Sequence, residues 1–127
     1  MFIHEKEKII SYFSYNGKKI YYEEHGSGEA LTLLHGNTVS GKFFTPVIPI
    51  LAEKYHVITL DFLECGQSDR MNKRPADLRY EWSGEFVALC DELKLSKVKR
   101  IGCSGITEQI RMGQNFAKQN EDFRSIL

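Results

Sequence analysis

The residues of this chain with the widest chemical use gather in three short polar segments, each following an apolar run. The first is His35-Gly36-Asn37-Thr38, after Ala30-Leu31-Thr32-Leu33-Leu34. The second runs from Asp61 to Asp69, after His56-Val57-Ile58-Thr59-Leu60. The third is Gly102-Cys103-Ser104-Gly105-Ile106, after Val98 to Ile101. A serine beside glycines on a tight turn can attack a carbonyl carbon, with nearby backbone N–H groups holding the oxyanion that forms. Such a serine needs a base, because at its free pKa it is a poor nucleophile. The histidines stand at positions 4, 25, 35 and 56, all before Ser104, and the only later carboxylates are Glu108, Glu121 and Asp122. His35 is the nearest substitute base, although a histidine at a strand end is more often a structural residue. Cys103 lies one residue before the turn's apex and is expected to point into the core, which disfavours it as the nucleophile.

The elements that position these segments follow from periodicity and turn chemistry. Asn16-Gly17 between Tyr12-Phe13-Ser14-Tyr15 and Ile20-Tyr21-Tyr22 predicts a β-hairpin over about 9–24, since a type I′ turn needs positive φ at both central residues. The uniform apolarity of 30–35 predicts a strand covered on both faces, as in a parallel sheet, and 56–60 and 98–102 read as further strands of that kind. Between them, Phe43, Phe44, Val47, Ile48, Leu51 and Ala52 have helical spacing, with Pro49 demanding a late start or a kink. Trp82, Phe86, Leu89 and Leu93 form one stripe of a helix over 78–93. A further helix is expected over 108–119, and 123–127 could begin another strand. Hairpin, then strand–helix three times over, predicts an α/β fold with a parallel sheet between helix layers and right-handed crossovers. Ligands on such sheets bind beyond the carboxyl ends of the strands, where the three polar segments fall.

Composition narrows the classes. A chain of 127 residues is one domain by size, read as a single unit over 1–127 with βαβαβα from about 30 onward. Lysine plus arginine equals aspartate plus glutamate, 17 each, so no global field attracts nucleic acid or an anionic membrane. No window approaches the roughly 20 apolar residues of a spanning helix, and Met1 to Ile10 lacks the apolar core of a signal peptide. Three cysteines without C-x-x-C spacing indicate neither a disulfide framework nor a zinc site. The expectation is a cytoplasmic protein with no metal, cofactor, nucleic-acid or membrane partner. A nucleotide-binding role for Gly102 to Gly105 fails on order, since such a turn follows the first strand of its unit with an acidic residue about 20 positions on.

The three strand ends in this order resemble the α/β-hydrolase family, from about Tyr15 to the end of the chain. The resemblance implies a three-layer α/β/α fold of which this chain holds the N-terminal portion. It implies Ser104 as nucleophile on a G-x-S-x-G elbow, with the N–H groups of Asn37 and Gly105 as oxyanion hole. His35, Gly36, Thr38 and Cys103 would line the substrate site, and the Asp61–Ser68 stretch would be the structural D-x-x-G-x-G-x-S loop.

The departures matter as much. Ile106 replaces the last elbow glycine, where a β-branched side chain crowds the turn. Glu64 stands where the loop has its first glycine, and Cys65 where an aromatic or histidine is usual. Arg100 lies inside a covered strand, where an unpaired charge is costly. Asn115-Phe116-Ala117 resembles the elbow helix, but Thr107-Glu108-Gln109 intervene, adding about one turn, and Thr107 could cap a later start. In this family the triad runs serine, acid, histidine along the chain, so acid and histidine are missing from this sequence. The expected function is the N-terminal part of a serine hydrolase for ester or related carbonyl substrates, inactive or nearly so as this chain alone. The alternative is a non-catalytic remnant that forms a homodimer or exchanges strands through its sheet edge.

Overall fold

A computed structural model describes residues 8–36, 39–71, 73, 78–102 and 123–125. The hairpin forms as its turn chemistry dictates. Strand β1 (Ile9–Tyr15) pairs antiparallel with β2 (Lys18–His25), and Asn16 and Gly17 take φ of 50° and 79° between them. Strands β3 (Glu29–Leu34), β4 (Tyr55–Leu60) and β5 (Val98–Gly102) follow the three apolar runs, and β6 (Phe123–Ser125) lies within the last expected strand.

The sheet order is β1-β2-β4-β3-β5-β6. β4, β3, β5 and β6 are mutually parallel, while β2 runs antiparallel to β4. In register, Leu33 faces Thr59 and Leu34 faces Gly102, so the chain leaves β3, β4 and β5 at one level. This is the arrangement the three polar segments require.

Alternation along the strands splits the core in two. On one face Ile20, Tyr22, Ile58 and Leu60 pack with Trp82, Phe86 and Leu89 of helix α2 (Leu78–Glu92). On the other, Leu31, Leu33 and Val57 pack with Phe44, Ile48 and Ala52. That second layer is broken: a 3₁₀ turn over Gly41–Phe44 is followed by a single α-turn, α1 (Ile48–Leu51), with Pro49 in its first turn. Pro49 lacks an N–H and is tolerated only there, which is why the helical spacing from Phe43 onward yields a late start.

Arg100 is 1% exposed, its guanidinium carbon 5.7 Å from the centre of the Phe86 ring, so the aromatic face offsets part of the cost of its burial. Cys65 and Cys90 are free, buried thiols. No helix among the described residues is long and apolar enough to cross a membrane. The expected helix over 108–119 and the turn around Ser104 lie outside the described residues.

Candidate active site

His35 follows β3 directly and is fully buried. Its Nδ1 lies 2.7 Å from the Gly36 carbonyl oxygen and its Nε2 3.0 Å from the Phe62 nitrogen. A carbonyl can only accept and an amide can only donate, so the proton sits on Nδ1 and the Nε2 lone pair receives Phe62 N–H. Burial holds the ring's pKa below its usual value, with the Gly36 carbonyl and Asp61 opposing in part. The imidazole is therefore neutral and both nitrogens are engaged. A base role for His35 has no free lone pair to use. What the ring does is tie the end of β3 to the end of β4, wedged edge-on to Phe62 at 5.0 Å while Phe62 stacks on Trp82 at 4.7 Å.

Asp61, the residue after β4, secures the same two loops from the other side. Its Oδ1 accepts the N–H of Gly41 at 2.8 Å and its Oδ2 the N–H of Gln67 at 2.9 Å. A carboxylate accepting two backbone donors, the Gly41 N–H buried and the Gln67 N–H partly so, is a strong clamp, since breaking it would leave polar groups unpaired. Gly66, at φ 51°, passes so close that a Cβ there would lie 2.1 Å from Asp61 Oδ2. Ser68 Oγ donates to the Asp61 carbonyl and accepts Tyr21 N–H at 2.8 Å, fixing the loop to β2. The mainly structural role expected for the Asp61–Ser68 stretch is what these bonds describe.

Glu64, in the glycine-like position, takes φ 76°. The family pattern asks for glycine at a left-handed backbone, and this chain places glutamate there with its carboxylate accepting Met71 N–H. Cys65 is buried, and burial followed by the charge of Asp61 pushes its thiol pKa up, so it is not a ready nucleophile. Burial likewise pushes the Cys90 thiol up to about 12.

One acid escaped the sequence reading. Glu85 is 0% exposed, and its Oε1 accepts Leu63 N–H at 2.9 Å. Burial, reinforced by a hydrogen bond and charge from Glu81, pushes its pKa up to about 10. It is a neutral acid at physiological pH, bracing the loop after β4 from helix α2. Its position three residues after Trp82, on the apolar stripe, was the available signal.

Of the sequence-assigned site residues, His35 and Gly36 are both buried at the end of β3. Asn37, Thr38, Cys103, Ser104 and Gly105 lie outside the described residues, as does Ile106. The strands that lead into them are neighbours, with Leu34 beside Gly102. Among the described residues, no three His, Cys, Asp or Glu side chains gather closely enough to hold a metal ion.

No family model matches the chain. Over 91 residues it is 28% identical to cis-3-alkyl-4-alkyloxetan-2-one decarboxylase of Shewanella oneidensis, which covers 68% of this chain and 27% of that protein. Over 63 residues it is 36% identical to an uncharacterised hydrolase of Bacillus subtilis, covering 48% of this chain and 23% of that protein. Among solved structures, the ligand-free epoxide hydrolase CorEH superposes with a TM-score of 0.78 at 28% identity, over 93% of this chain and 40% of CorEH. The chain thus belongs to the α/β-hydrolase fold family. What it carries is the N-terminal portion of that fold, spanning well under half the length of these relatives.

Proposed function

We propose that the chain supplies the nucleophile and oxyanion half of an acyl-transfer site, acting on ester or related carbonyl substrates. The observation that carries this reading is the register of the central strands. Leu34 and Gly102 are paired on adjacent parallel strands, so Asn37 and Gly105 each stand three residues beyond one level of the sheet. In this reading Ser104 attacks the carbonyl carbon, and the N–H groups of Asn37 and Gly105 receive the oxyanion. Gly36, Thr38 and Cys103 border the substrate. His35 belongs to the site as a positioning residue that sets where Gly36 and Asn37 begin.

The base is the part this chain does not hold. With His35 locked as a neutral donor–acceptor bridge, no histidine follows Ser104. Losing the base typically removes most of the rate. The test is chemical rescue. Added imidazole stands in for the base, p-nitrophenyl acetate is the acyl donor, and intact mass reports the adduct. The expected result is imidazole-dependent acetylation located at Ser104 and lost in Ser104→Ala. Equal labelling of the folded chain and of Ser104→Ala at every imidazole concentration would overturn the reading.

A further inference from the structure

A groove of about 550 Å³ lies over β2 and β4, beside α1 and away from the β3–β5 register that sets the proposed acyl-transfer site. Its volume is in the range of small-molecule sites. One wall is polar and comes from alternate residues of β2: Tyr21, Glu23 and His25, which share a face because side chains alternate along a strand. Ile48, Pro49 and Ala52 add apolar surface to the lining. Thr59 and Asp61 of the β4 end line it as well, as do Lys8 and Lys42.

The hydrogen-bonding groups of this groove are unequally used. Glu23 is held by Tyr21 O–H on Oε2 and by His25 Nε2 on Oε1 at 3.0 Å, with Lys8 Nζ at a looser 3.9 Å. Burial pushes the Glu23 carboxyl up, but the bonds from Tyr21 and His25 and the nearby cations outweigh it and keep the group below its usual pKa. Asp61 has an oxygen on each of two backbone N–H groups. Both carboxylates of the groove therefore already accept donors of the protein itself. The two lysines are less engaged: Lys42 pairs with no carboxylate among the described residues, and Lys8 touches Glu23 only at long range. Spare donors beside apolar surface recognise an anionic head on an apolar body.

We propose that this groove binds a small carboxylate with a short alkyl chain, its head held by Lys8 and Lys42 and its chain lying on Ile48, Pro49 and Ala52. The site is independent of Ser104 and of the acyl-transfer reading.

The experiment is an NMR titration of the 15N-labelled 127-residue chain with octanoate, with octan-1-ol and octylamine as matched bodies lacking the negative charge. The expected result is saturable binding of octanoate, with shifts concentrated at Lys42, Thr45 and Gln67, and at least about tenfold weaker binding of both controls. The double variant Lys8→Ala/Lys42→Ala, at exposed positions that leave the core intact, should weaken octanoate by about tenfold. Glu23→Gln removes one of the two carboxylates that line the groove and should tighten octanoate by about threefold, a direction that structural damage does not produce. Equal affinity for octanol, an unaffected double variant, weaker binding in Glu23→Gln, or no saturation of the folded chain would each overturn the proposal.

Discussion

Glu85 shows how far one residue's environment can move its chemistry. An exposed glutamate is ionised at neutral pH, yet burial and the neighbouring Glu81 raise the pKa of this one to about 10, with the Leu63 N–H bond opposing in part. In the unfolded chain it ionises near 4.5. Between those values the folded state binds a proton that the unfolded state releases, so stability falls as pH rises across that window. The contribution is fully present below about pH 4.5 and lost on the way to pH 10, with a slope of at most about 1.4 kcal/mol per pH unit. Glu85→Gln has no proton to lose. Denaturant titrations at pH 5 and pH 9 should show a smaller fall in stability for Glu85→Gln than for the natural chain. An unchanged slope would show that Glu85 is ionised in the folded state. His35 has the opposite sign: its depressed pKa adds stability above the unfolded value of 6.5 that is lost on acidification.

The loop after β4 is where individual residues become an element. Asp61 clamps Gly41 and Gln67, Ser68 ties to β2, and Gly66 leaves room for the clamp. Gly66→Ala would place a methyl group inside the Asp61 carboxylate at a positive φ, and should cost about 2–4 kcal/mol by thermal or denaturant unfolding. A cost near zero would mean the loop is free to move away. Much of this architecture was legible beforehand. Asn16-Gly17 specified the hairpin, and the apolar runs specified β3, β4 and β5, because turn stereochemistry and double burial act locally. Pro49 announced the late start of α1. Other features were illegible for a physical reason. The tautomer of His35 is set by Phe62, which is 27 positions away. The burial that raises the Glu85 pKa exists only once helix α2 packs on the loop after β4, where Glu85 accepts the N–H of Leu63, 22 positions away. Such pairings exist only once the sheet has formed. The polar face of β2 is written in the sequence as Tyr21, Glu23 and His25 at intervals of two, a pattern that any half-exposed strand shares.

At the scale of the whole molecule, the chain is a sheet of order β1-β2-β4-β3-β5-β6 with apolar cores on both faces. Its relatives extend well beyond the region it matches. A fold portion that sets the levels of β3 and β5 can position a nucleophile and its oxyanion donors, but activating a serine takes a base as well. Fold and chemistry are separable here, since the same sheet serves relatives named for decarboxylation and for epoxide hydrolysis. The proposed function requires that this chain carry the nucleophile's half of the site without the base. Its most direct test is the steady-state turnover of p-nitrophenyl acetate by the 127-residue chain and by Ser104→Ala, in buffer free of added imidazole. Equal, near-background rates are expected for the two. Turnover by the natural chain that falls on Ser104→Ala would contradict that requirement, because a working base would then have to lie within this sequence.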